Sequence, residues 1–302
     1  MKKLVPPRLD AMDIYSTLKN NVNRVNTLDK YDRLCTLEGT VFQRYDDYLA
    51  TTNNLELLSI STITDENDKV ALESCYSRNP NGYFEGRVVT QIIEIQTPQH
   101  KNNCPYCGLD SPRTIDHYLP ISDFPEYSVF PPNLIPCCSY CNSKKNDRWL
   151  GVDGQRLFIN MYYDNIDNLQ KYLFCNTRFD NERTDEYYFA PLITFAIQNT
   201  GVIPIETYRV IESHYTKLDL TKQFSKKIEE QISVIMDKVY HGARIEVIQE
   251  SLNDDYDNHI RMYGRNFWRT SFLEEIKGNA LFFDRVKEPE FRDYFHLKHI
   301  VK

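Results

Sequence analysis

The sequence predicts an α+β protein in which a small, metal-stapled centre is flanked by two mainly helical regions. Three observations carry that expectation. Two Cys-x-x-Cys pairs stand near the middle of the chain; the segment between them is rich in Pro, Asn, Ser and Cys; and apolar residues recur at three-or-four spacing on both sides of it.

Taken in order, the chain divides into residues 1–96, 97–150 and 151–302. In the first region Leu34, Leu37, Val41, Tyr45 and Tyr48 mark one face of a helix. A second helix is expected to start near Asp65, with Asp or Thr as its cap, and to run through Val70, Ala71 and Cys75 until the breaker Asn79-Pro80-Asn81-Gly82. The stretch YFEGRVVTQIIEIQ predicts a third, stopped by Pro98. The middle region has the composition of a loop-rich module that needs a metal to fold. Beyond Trp149, YLFCNTRF and YYFAPLITFAI predict two strands around the polar turn NERTDE. Phe224, Ile228, Ile232, Ile235 and Val239 then mark a long amphipathic helix, and more helix is expected from Ile245 to Gly278 with a break near Gly264.

Composition narrows the function. The chain has 302 residues, 41% of them hydrophobic, which is enough to bury a core. Its net charge of −7 is the wrong sign for a general polyanion binder, so any nucleic-acid contact must be a local patch or be helped by a partner. The N-terminal MKKLVPPRLD has no apolar run behind its lysines, which argues against a signal peptide. No stretch approaches the roughly 20 apolar residues of a membrane span, so a cytoplasmic location with no membrane partner is expected. In a reducing compartment, clustered cysteines read as metal ligands. The isolated Cys35, Cys75 and Cys175 read as small buried hydrophobes. The acidic run Asn253–His259 lacks the Gly and terminal Glu of a calcium loop and reads as a solvated face. His296 and His299 read as tail residues.

Cys104-Pro-Tyr-Cys107 and Cys138-Ser-Tyr-Cys141 each form a tight turn that aims two thiolates at one point. Together they complete a tetrahedral four-sulfur site suited to structural zinc. Cys138 is preferred over Cys137 because only Cys138 has the two-residue spacing to Cys141. Tyr106 and Tyr140, inside the turns, are expected to pack around the metal. The linking segment is longer than the roughly 15–20 residues of common zinc ribbons, so it can hold more than a turn.

That segment holds Asp116-His117-Tyr-Leu-Pro120 and Asn133-Leu, and Asn142-Ser-Lys144-Lys145 follows the last cysteine. The order Cys-x-x-Cys, Asp-His-x-x-Pro, Asn-Leu, Cys-x-x-Cys-Asn-x-x-Lys resembles the HNH endonucleases in their zinc-stapled form, over about residues 104–147. The resemblance implies a ββα-metal core and a phosphodiester hydrolase. It makes His117 the general base, Asp116 a metal-binding carboxylate, Asn133 the residue that ties the loop and orients the histidine, and Asn142 a metal ligand in the last position of the motif. Two hard oxygen donors, from Asp116 and Asn142, favour Mg²⁺ or Mn²⁺ as catalytic ion. Neighbours on a regular strand point to opposite faces. Asp116 and His117 can therefore serve one phosphate only where the strand twists or ends, and Pro120 is compatible with such an ending.

Lys144, Lys145 and Arg148 follow on a short helix and read equally as a phosphate-contact patch or a solvated face. The substrate expected from the resemblance is DNA, with RNA, tRNA included, compatible with the same chemistry. The HNH subunits of bacterial anti-phage defence pairs, such as the PtuB-like component that works with an ABC-type ATPase, have a similar central motif. That similarity implies an effector nuclease with a protein partner. The rival reading is a non-catalytic, zinc-stapled nucleic-acid-binding or interaction subunit.

Overall fold

The expected periodicities are realised as helices. The computed structural model describes residues 3–25, 27–79, 81–166, 170–179 and 191–289, which fall into two compact units, 3–165 and 166–302.

The first unit opens with α1 (Ala11–Asn20) and α2 (Leu28–Ala50). Leu34, Leu37, Val41, Tyr45 and Tyr48 all face inward from α2. Cys35, next to Leu34, points to solvent, which corrects its expected burial; Cys75 and Cys175 are buried. α3 (Glu66–Glu73) starts where its cap predicts, with the Asp65 carboxylate accepting from the amides of Asn67 and Asp68 at 2.9 and 3.1 Å. It stops two residues short of Cys75. The third expected helix has a wide π turn over Phe84–Val89 before α4 (Thr90–Glu94). Pro98 both follows that helix and opens α5 (Pro98–Asn102), because a first-turn position needs no amide hydrogen.

The centre of the chain forms a two-stranded antiparallel sheet of β1 (Thr114–His117) and β2 (Leu134–Cys137), followed by α6 (Ser139–Lys145). β1 ends at His117, three residues before Pro120. The loop between the strands is anchored on α2. Arg44 Nε donates to Glu126 Oε1 at 2.7 Å, and Tyr127 donates its hydroxyl to the Arg44 carbonyl at 2.8 Å. The Tyr45 and Phe130 rings stack with centroids 4.3 Å apart. Arg44 and Glu126 side chains are only 8% and 0% exposed, so removing one charge strands the other. Arg44→Met is expected to destabilise this unit by about 3–5 kcal/mol in urea unfolding.

The second unit holds the antiparallel pair β3 (Leu173–Arg178) and β4 (Leu192–Ile197), then α7 (Ile205–Lys217), α8 (Leu220–Tyr240), α9 (Ile245–Tyr263), α10 (Trp268–Lys277) and α11 (Ala280–Val286). α8 buries all five residues that mark its apolar stripe. Gly264, at φ 82°, breaks α9 from α10. Asn266 Oδ1 accepts from the Tyr172 amide at 2.8 Å and Ser271 donates to the Leu173 carbonyl at 3.0 Å, tying the α10 end to β3. The acidic run lies within α9, with Asn253, Asp254, Asp257 and Asn258 exposed. The expected turn at 181–186 and the two C-terminal histidines lie outside the described residues. No described helix is long and apolar enough to cross a membrane.

Candidate active site

The four paired cysteines converge. Cys104, Cys107, Cys138 and Cys141 are buried with their sulfurs within 4.8 Å of one another. Cys107 and Cys138 Sγ are 3.8 Å apart. A tetrahedron with zinc–sulfur bonds of about 2.3 Å has edges of about 3.8 Å, so the donor set fits zinc in type and size. Among the described residues this is the one metal-competent group of Cys, His, Asp and Glu side chains. Cys137 stays outside it, its sulfur 3.5 Å from Thr114 Oγ1. Of the two turn tyrosines, Tyr106 is fully buried, whereas Tyr140 is 37% exposed, so the expected packing of Tyr140 around the metal is not realised.

Asp116 lies on β1 and is buried. Its Oδ2 accepts from the Tyr106 hydroxyl at 2.8 Å, and its Oδ1 from Lys145 Nζ at 3.0 Å. Burial raises the carboxyl above its ordinary value, opposed by the Lys145 charge and the Tyr106 bond. A carboxylate oxygen has two acceptor sites, so each retains capacity for one more partner.

His117, at the strand end, has Nε2 2.8 Å from the Ser128 carbonyl. A carbonyl can only accept, so Nε2 carries the proton and Nδ1 holds the lone pair. Burial lowers the imidazole to about 4, opposed by the Ser128 bond and reinforced by Lys145. The ring is therefore neutral near pH 7. It is also braced by Tyr76, edge-on with centroids 4.6 Å apart. Ser128 is held in turn, its hydroxyl donating to the Leu72 carbonyl at the end of α3 at 2.9 Å.

Asn133 is buried and clamps the loop after the histidine. It accepts from the Leu119 amide at 2.8 Å and donates to the Leu119 carbonyl at 3.0 Å. Asn142, on the first turns of α6, donates its side-chain amide to the Ile115 carbonyl at 3.3 Å, a bond that does not use its side-chain oxygen. Asp116, His117 and Asn142 line one open cavity of about 480 Å³, with Tyr76 on the same lining. Both members of the Asp-His pair lie on the lining of this cavity, at the end of β1. Asp116 and Asn142 both carry hard oxygen donors, a type that suits Mg²⁺ or Mn²⁺.

The basic cluster divides. Lys145 is fully buried, bonded to Asp116 and, at 2.8 Å, to the His117 carbonyl. Its expected role as a phosphate contact is corrected: the ammonium is committed inside the fold. Lys144 is half-buried, 5.9 Å from the Tyr140 ring centroid. Arg148 is exposed and donates to the Lys144 and Lys145 carbonyls at the end of α6. Two site residues had no signal in the sequence, and a third had only a partial one. Tyr76 and Ser128 lie outside any motif, and Tyr106 is legible only as a turn residue.

A zinc-stapled ββα module with a histidine, an aspartate and an asparagine on one cavity defines the class. Residues 104–148 match the family model described as HNH endonuclease, so the chain carries an HNH domain there. The chain is also 27% identical over 174 residues to "Protein ea31" of Escherichia phage lambda, covering 54% of this chain and 57% of the phage protein. It thus spans little more than half the length of that relative. No solved structure matches the chain.

Proposed function

We propose that the protein is a metal-dependent HNH endonuclease that hydrolyses phosphodiester bonds, with DNA as the first substrate and RNA, tRNA included, compatible with the same site. The observation that carries this is the cavity shared by His117, Asp116 and Asn142, with the histidine held neutral and its Nδ1 left to accept a proton. In this reading Nδ1 takes the proton of the attacking water, while Ser128 keeps the ring in the required tautomer. Asp116 and Asn142 would hold the divalent ion. When bound, that ion supplies charge neutralisation at the phosphate and the leaving oxygen. The test is incubation of the purified protein with plasmid DNA, single-stranded DNA and tRNA, each with Mg²⁺, Mn²⁺ or EDTA. Asp116→Ala and Asn142→Ala are expected to raise the metal concentration needed for cleavage, with partial rescue by excess Mn²⁺. Cleavage with an unchanged metal requirement would remove both residues from the metal site.

One observation favours the rival, a non-catalytic module: both Asp116 oxygens already have donors inside the fold. Failure of every substrate and metal combination would favour it.

The nuclease reading extends to an effector of a bacterial anti-phage defence complex, with a protein partner such as an ABC-type ATPase. Its support is the central motif and the charge. A net charge of −7 opposes a polyanion, and with Lys145 internal the local basic patch reduces to Lys144 and Arg148. Repulsion acts over a Debye length of about 8 Å at physiological salt. The isolated chain is therefore expected to cleave weakly at about 150 mM salt and to be activated in a complex. Rapid unassisted cleavage of generic DNA under those conditions would show that no partner is required.

A further inference from the structure

The Cys104–Cys107 turn carries more than two sulfurs. Tyr106, between them, reaches across to Asp116 Oδ2 with its hydroxyl at 2.8 Å. Tyr106 and Asp116 are 0% and 2% exposed, so the bond lies inside the fold. The opposite oxygen is held by Lys145 from the last turn of α6, the helix that begins at the other cysteine pair. Each half of the zinc staple is thus joined by one short side-chain link to the same carboxylate. Asp116 lines the cavity that also holds Asn142.

We propose that Tyr106 is a positioning residue through which the structural zinc site sets the affinity of the catalytic metal site. The inference rests on the nuclease reading of that cavity. Its physical basis is orientation. A carboxylate with one oxygen fixed by a hydroxyl and the other by an ammonium cannot rotate about its Cβ–Cγ bond without breaking one of the two. Its remaining acceptor sites therefore keep a constant direction. A groove carboxylate without such a donor would have to be ordered by the metal itself. Partners of this kind typically change metal affinity by about 10–100-fold.

The experiment is Mn²⁺ titration of the full chain, wild type against Tyr106→Phe, by calorimetry or the loss of free-Mn²⁺ resonance, with zinc content and unfolding midpoint measured on both. The expected result is one zinc in each protein, a preserved fold, and a Mn²⁺ Kd raised about 10–100-fold in Tyr106→Phe. Equal Kd values would overturn the coupling and leave the nuclease reading intact. No Mn²⁺ binding by the wild type would overturn the metal site itself, and this inference with it. Should Tyr106→Phe fold poorly, wild-type protein labelled with ¹³C in its tyrosine rings gives the same answer. Mg²⁺ saturation must shift the Tyr106 ring signals along the binding curve, and a ring signal that does not respond overturns the proposal.

Discussion

His117→Ala is expected to lower the cleavage rate about 10²–10⁴-fold, the range for loss of a general base, while fold and nucleic-acid affinity stay at the wild-type level. The separation follows from the environment of the ring. Its Nε2 is committed to the Ser128 carbonyl at 2.8 Å, so the proton-accepting nitrogen is Nδ1. Burial keeps the imidazole uncharged near pH 7, and an uncharged ring contributes nothing to the counterion release that dominates nucleic-acid affinity. Among the described residues the side chain bonds to a loop carbonyl and meets Tyr76 edge-on, so its removal leaves the zinc staple and both strands intact. Single-turnover cleavage and fluorescence anisotropy, measured on the same preparation, test the two halves of this expectation. A variant that cuts as fast as the parent would remove His117 from the reaction.

The elements with their own local signal were legible in the sequence. The α2 and α8 faces follow from apolar spacing, the α3 start from Asp65, and the α9–α10 break from Gly264. The four ligands follow from spacing, because a Cys-x-x-Cys turn dictates its own geometry. What was hidden depends on contacts far apart in the chain. Tyr76 and Ser128 reach His117 only because α3 packs against the loop between β1 and β2, and no short-range pattern encodes that. Lys145 misleads for the same reason: next to Lys144 it reads as surface charge, but α6 turns it inward onto Asp116. The side to which a helical lysine points is set by the helix's docking, which composition does not reveal.

Cys138→Ser is expected to cost the first unit its fold, and a second role of Cys138 makes the experiment specific to the metal. Its sulfur caps α6, accepting from the Cys141 amide at 3.5 Å. Serine is a good N-cap residue, so the variant can keep the cap while losing the thiolate that zinc requires. Structural zinc contributes about 10–16 kcal/mol of binding free energy in small zinc modules, against a total stability of about 5–15 kcal/mol for a typical domain. Even partial loss of that term exceeds what a small, loop-rich centre can otherwise supply. The expected outcome is less than one zinc per chain, loss of soluble protein, and loss of the cooperative unfolding of the 3–165 unit. The helices of the 166–302 unit contain none of the ligands, so part of the circular dichroism signal should persist in whatever soluble fraction remains. Cys137→Ser, one position away, is the control. Its sulfur faces Thr114 and lies outside the four-sulfur site, so zinc content should stay at one per chain. A zinc-free yet fully folded Cys138→Ser protein, by elemental analysis and circular dichroism, would show that the staple does not hold the fold.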